Sequence, residues 1–238
     1  MFRFFSNIIN LKVSEQEFFL AAQEGGSSGL KMVSRYMEQN RDIPGVLDVR
    51  DRYDRTALLL AIWCDNTEIA QKLLSVRGID INHRPHVIYG NSLTALDFAA
   101  SNGNETIVRM LLEIPHINLG SVSHFGNTAL HYAARKGNIV IVNMLLERFN
   151  LQQINVNTTD GKSAADIART AGHNDVVVLI SERIRDLQNA GPEGQPNDNN
   201  AININHPDIP NALEGGIEGE PDGELEEDEY QPGAPRRI

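Results

Sequence analysis

The sequence predicts an all-α solenoid of about five helix-turn-helix repeats with hairpin loops, followed by an acidic C-terminal tail. Three observations predict it. One segment recurs four times in phase, each copy carries two short apolar stretches at helical spacing, and from about Asn189 the composition turns to Asn, Gly, Pro, Asp and Glu. Self-similarity at such a period marks helix pairs that cannot bury their apolar faces alone and therefore stack.

The copies align on a Thr or Ser. Asp51-Arg-Tyr-Asp-Arg-Thr-Ala-Leu-Leu-Leu-Ala61 recurs as Tyr89-Gly-Asn-Ser-Leu-Thr-Ala-Leu-Asp-Phe-Ala99 and as Ser123-His-Phe-Gly-Asn-Thr-Ala-Leu-His-Tyr-Ala133. Thr158-Thr-Asp-Gly-Lys-Ser-Ala-Ala-Asp-Ile-Ala168 is a weaker copy. The anchors Thr56, Thr94, Thr128 and Ser163 stand 38, 34 and 35 residues apart. After each comes an apolar pair: Leu73-Leu74, Leu111-Leu112, Leu145-Leu146 and Leu179-Ile180. Three copies then run into extended segments at 79–82, 117–120 and 154–157.

Local chemistry supports a helix pair in each copy. Thr128 is a good N-cap, Ala129 to Lys136 reads as one short helix, and Gly137 supplies the left-handed turn that ends it. The next helix, Ile139 to Arg148, places Ile139, Val142, Leu145 and Leu146 on one face. Gly126 and Gly161 suit a tight hairpin before each cap.

These residues resemble the ankyrin repeat. Gly126-Asn-Thr-Ala-Leu-His-Tyr-Ala-Ala-Arg-Lys-Gly-Asn138 is nearly the family pattern, with Ala129 where a proline is usual. A degraded copy comes first, with Glu17-Phe-Phe-Leu-Ala-Ala-Gln-Glu-Gly25 as its first helix, Leu30 to Met37 as its second, and Gly26 to Gly29 as a lengthened loop between them. The expected layout is an N-terminal capping segment at 1–13 and an ankyrin domain at 14–187. Its repeats fall at 14–50, 51–82, 83–120, 121–157 and 158–187, and a disordered acidic tail follows at 188–238. The charges of Ser181 to Asp186 are expected to cover the open end of the last repeat. In this reading His131 fills the family's histidine position and hydrogen-bonds between repeats.

The charge is unevenly placed. The chain holds 21 Lys and Arg against 32 Asp and Glu, and from Ala190 onward 12 acidic residues face only Arg236 and Arg237. A near-neutral body does not offer the basic surface that phosphate backbones need, so nucleic acid is not an expected partner. One cysteine, Cys64, excludes an intramolecular disulfide and suits a reducing cytosol. The apolar start, Met1 to Val13, is too short and too polar for stable membrane insertion.

Catalytic constellations are scarce. His83 and His86 lack a second ligand pair for a metal, Cys64 has no neighbouring base, and no Gly-rich loop cradles phosphate. No metal, cofactor or enzymatic activity is expected, and the array and tail leave no room for a separate catalytic domain.

The function expected is protein binding by a monomer. In ankyrin arrays the hairpin tips and the exposed ends of the first helices make the concave face that takes partners. That mapping selects Arg52, Tyr53, Arg55, Trp63, Asn91, Leu93, Asn102, His124, Phe125, Asn127, Arg135 and Lys136, aromatic and cationic types that dominate interface energies. The partner implied is a protein with an acidic or mixed-charge surface. The segment 82–92, which makes the first interval the longest, reads as a lengthened finger. Glu224-Leu-Glu-Glu-Asp-Glu229 resembles the acidic block near the C-termini of bacterial effectors delivered by type IV secretion, which implies a cytoplasmic protein delivered into a host cell. The array with an acidic, Pro-rich tail also resembles inhibitors of the NF-kappa-B class, though no Asp-Ser-Gly phosphodegron is present. A resident cytosolic scaffold is the plainer alternative.

Overall fold

The computed structural model describes residues 12–86 and 92–190. Most of the expected N-terminal cap (residues 1–11), Asn91 and the tail from residue 191 lie outside the described residues.

Short helices arise where a Ser, Thr or Asn caps an apolar run. The pairs are α1 (Glu15–Glu24) with α2 (Gly26–Gln39), α3 (Ala57–Trp63) with α4 (Thr67–Leu74), and α5 (Ala95–Asn102) with α6 (Glu105–Leu112). They continue as α7 (Ala129–Lys136) with α8 (Ile139–Arg148), a single turn α9 (Leu151–Ile154), and α10 (Ala164–Thr170) with α11 (Asn174–Asn189). Among the described residues there is no strand, and the extended connections contribute one isolated bridge, Asn157 to Ser163. Each first helix packs on the first helices beside it, α1 on α3, α3 on α5, α5 on α7 and α7 on α10; the second helices form an outer row.

Alanines set the spacing of the inner row. Ala57 and Ala61, Ala95, Ala99 and Ala100, Ala129, Ala133 and Ala134, and Ala164 and Ala168 are all buried. Short side chains let helix axes approach at the close end of the usual 8–10 Å. Between the rows lie Leu73, Leu111, Leu145 and Ile180, at most 1% exposed, each contributing about 2 kcal/mol of burial.

Several expectations change. Gly26 to Gly29 are not a loop: they are the first turn of α2, because Gly25 and Gly26, with φ 71° and 67°, make the reversal. Gly29 is needed for contact, since a Cβ there would stand 2.6 Å from the Ala21 carbonyl oxygen of α1. Ile139 is 44% exposed and Ile141 takes its place in the core. It is the first helical residue after the Asn138 cap, whose side chain accepts the Ile141 N–H at 3.0 Å. Ile154 ends the helical turn α9, capped by Asn150 and Gln153, so the extended segment there begins only at Asn155.

Polar side chains tie each pair to the one before. Asn66 Nδ2 donates to the carbonyls of Ala22 (2.8 Å) and Gln23 (2.9 Å), Asn138 Nδ2 to Glu105 Oε1 (3.2 Å), and His173 Nε2 to the Arg135 carbonyl (3.2 Å). On the opposite edge Asn82 Nδ2 donates to the His116 carbonyl (2.8 Å), while its Oδ1 accepts the Asn118 N–H (2.8 Å).

Gly126 tests this packing. It has φ 72°, and a Cβ would come within 2.9 Å of Thr159 N and 3.0 Å of Thr158 Cα, both backbone atoms of the next hairpin. Gly126→Ala is expected to cost more than the roughly 1–2 kcal/mol of left-handed backbone strain. It should appear as a lower urea midpoint at unchanged slope; an unchanged midpoint would contradict the close approach of these two hairpins.

Candidate partner-binding face

A hairpin finger precedes each inner helix from α3 onward. Finger one, Asp51 to Arg55, is closed by Asp51 N–H to the Arg55 carbonyl (3.0 Å) and Asp54 N–H to the Asp51 carbonyl (3.0 Å). Ser123–Asn127 and Thr158–Lys162 close in the same way. Two residues before each helix cap the backbone is left-handed, at Asp54, Ser92, Gly126 and Gly161. Ser92 holds that position in the finger whose tip lies outside the described residues.

The fingers are joined sideways. His83 Nε2 donates to the Asp54 carbonyl (2.6 Å), Arg84 Nη2 to the Val122 carbonyl (2.6 Å), and Thr159 N–H to the Phe125 carbonyl (3.1 Å). His83, weighed above as a metal ligand, is 7% exposed and spent on this link.

Finger one carries a ladder of alternating cations and rings. The Arg52 guanidinium lies 4.7 Å from the Tyr53 ring centre, and that of Arg55 lies 4.8 Å from Tyr53 and 5.3 Å from Trp63. Asp51 fixes the arrangement: Oδ2 accepts from Arg55 Nε (2.9 Å) and Nη2 (2.6 Å), and Oδ1 accepts the Tyr53 and Arg55 N–H groups (both 2.9 Å). Arg50 pairs with Asp54 at 3.3 Å. Among the described residues, Arg52 is thus the finger-one cation without a carboxylate.

The inner helices α5 and α7 leave one stripe partly open, at their fourth, seventh and eighth positions. In α5 these are Phe98, Ser101 and Asn102, in α7 Tyr132, Arg135 and Lys136, while α3 buries Leu60 and shows Trp63. The corresponding position in α1 is Leu20, 50% exposed. Arg52, Tyr53, Arg55 and Trp63 therefore come together, and Asn102, Arg135 and Lys136 share the stripe. His124 sits edge-on to Phe125 at 5.2 Å on finger three, with Phe125 50% exposed.

Two expected contacts need correction, and one lies outside the described residues. Leu93 and Asn127 are each 6% exposed. Both occupy the position just before a helix cap, which in these interior repeats turns into the stack. Asn102 keeps its amide for the preceding repeat, donating to the carbonyls of Ile62 (2.6 Å) and Trp63 (3.3 Å). Asn91 is the contact outside the described residues. Sequence reasoning missed Phe98, Tyr132 and Leu20. Counting five residues back from the left-handed turn that ends each first helix (Gly25, Gly103, Gly137) finds all three.

The family model described as Ankyrin repeats (3 copies) matches residues 96–190, and the model described as Ankyrin repeat matches residues 53–85. The chain belongs to the ankyrin-repeat family. No curated protein matches it. The pair α1–α2 lies before both matched spans yet stacks on α3–α4 as the other repeats stack on one another. Ankyrin repeats are generally modules for protein–protein interaction. No helix among the described residues is long and apolar enough to cross a membrane.

Beneath the ankyrin face lie two buried ionisable caps. Asp97 Oδ2 accepts the Thr94 N–H (2.9 Å) and hydroxyl (2.8 Å) and is 1% exposed. Burial raises its pKa from 3.8 to about 6, against the opposing pull of the Thr94 hydrogen bonds and Arg84. His131 Nδ1 accepts the Thr128 N–H (3.1 Å), which leaves the ring proton on Nε2. That nitrogen is buried against the backbone of Lys162 and Val156 in the next repeat, without a hydrogen bond of good geometry, so the ring caps its own helix through Nδ1 and faces the next repeat through Nε2. Burial lowers the His131 pKa to about 4, while the backbone of Lys162 and Val156 in the next repeat opposes the fall.

The two groups act on stability with opposite signs. Asp97 binds its proton more tightly when folded, so its contribution is present below about pH 4 and lost as pH rises through 6. His131 binds its proton less tightly when folded, so its contribution is present above pH 6.5 and lost as pH falls through 4. Each is worth about 3 kcal/mol, and between pH 4 and 6 they offset. Asp97→Asn is expected to gain about 2–3 kcal/mol over the parent between pH 4 and 7 in urea unfolding; a pH-independent difference would show that the carboxyl is not buried as described.

Proposed function

We propose that the array binds a protein partner on the face made by the fingers and the exposed stripe of α1, α3, α5 and α7. Arg52 takes an acidic side chain of the partner and Trp63 an apolar one. The ordered ladder Arg52–Tyr53–Arg55–Trp63 carries this reading. Arg and aromatic residues are the types that act as binding hot spots. Asp51 holds Arg55 between two rings, so less side-chain freedom is lost on binding, where each immobilised long side chain otherwise costs about 0.5–1.5 kcal/mol. Because Asp51 neutralises Arg55, Arg52 supplies the local positive charge.

Affinity capture on the immobilised full chain, read by mass spectrometry, identifies the partner. Trp63→Ala is then expected to weaken it by 2 kcal/mol or more, about 30-fold. Arg52→Ala should weaken it less and flatten its salt dependence, while Arg109→Ala on the outer helix α6 should leave it unchanged. A partner equally sensitive to Arg109→Ala and indifferent to Trp63→Ala and Arg52→Ala would place the interface elsewhere.

A further inference from the structure

The stripe of first-helix side chains is apolar at one position in each of α1, α3, α5 and α7, and basic beside it in α7. Phe98 and Tyr132 are half-buried, Leu20 is exposed, and Trp63 lies one turn further along α3. Arg135 and Lys136 are exposed in the last turn of α7, and neither joins an ion pair with another described residue. A surface of this kind fits a segment that combines aliphatic and acidic side chains.

The chain itself carries such a segment. Between residues 202 and 217 stand Ile202, Ile204, Ile209, Leu213 and Ile217, with Asp208 and Glu214 among them, and eight further acidic residues follow from Glu218 to Glu229. We propose that residues 202–229 dock in cis on the ankyrin face: 202–217 lie across Tyr132 and Phe98, Asp208 and Glu214 pair with Arg135 and Lys136, and the acidic run reaches Arg52. The proposal rests on the reading of this face as the partner site, and it names the first occupant of that site.

Order and reach agree. The last described residue, Ala190, closes α11 of the final repeat. The eleven residues from 191 to 201 span at most about 40 Å, whereas three helix-to-helix steps, from α11 through α10 and α7 to α5, cover about 30 Å. The tail thus passes the repeats in reverse order, and its most acidic part arrives last, at finger one. Tethering raises the local concentration of the segment to the millimolar range, so a weak contact suffices to populate the docked form. An acidic partner must then displace it, and its apparent affinity falls by the docked fraction.

The experiment places a photo-crosslinker on the stripe of the full chain by Ser101→p-benzoyl-phenylalanine, with products separated by size and mapped by mass spectrometry. Docking in cis predicts crosslinked monomer whose adducts fall within residues 202–229. The yield should drop several-fold at 1 M NaCl, where the Debye length is about 3 Å, and in the chain carrying Ile204→Ser, Ile209→Ser, Leu213→Ser and Ile217→Ser. Adducts confined to residues of the array, or a crosslinked dimer showing a second copy as the occupant, would overturn it. No partner is present in this measurement, so its failure leaves the Trp63→Ala test of the binding face untouched, and failure of that test leaves the crosslink readable.

Discussion

No helix pair of this chain can bury its own apolar side. The inner helices α3, α5, α7 and α10 are seven or eight residues long, well short of the 12–15 at which an isolated helix becomes marginal in water. Their stability comes from the neighbour on either side, and that single requirement fixes most of the sequence. Small residues must face along the inner row, large aliphatic ones must fill the space between rows, and polar caps must satisfy helix ends that lie against another repeat.

Once those positions are assigned, what remains defines the surface available to a partner. In α5 and α7 the fourth, seventh and eighth positions stay at least partly open to solvent, and the chain varies there: Phe98, Ser101 and Asn102 in α5 against Tyr132, Arg135 and Lys136 in α7. The fingers are positioned by the same stacking. Their sideways hydrogen bonds, from His83 to Asp54, Arg84 to Val122 and Thr159 to Phe125, link consecutive repeats. A side chain on a finger tip is therefore carried by a framework that spans the array, and the Arg52–Trp63 ladder is one such cargo.

Much of this was legible in the sequence because the signals are local. Thr56, Thr94, Thr128 and Ser163 cap the helices they announce, and α7 and α8 have the bounds that capping and periodicity give them. What was not legible depends on neighbours. Leu93 and Asn127 share a register position with Arg55, but only the packing of adjacent fingers decides which side chain turns inward. Gly26 to Gly29 read as a loop from composition, yet close contact of α2 with the Ala21 carbonyl makes the small residues part of a helix. Phe98 and Tyr132 look like core aromatics until the alanines beside them are seen to fill that role.

The claim that unites these observations is that the solvent-facing positions of the inner row and the fingers are where a partner binds. Hydrogen–deuterium exchange of the full chain with and without a captured partner tests it most directly. Added protection is predicted in finger one, at the Trp63 end of α3, in finger three and in the last turns of α5 and α7, with α4, α6 and α8 unchanged. Protection confined to that outer row, with the fingers exchanging as before, would contradict it.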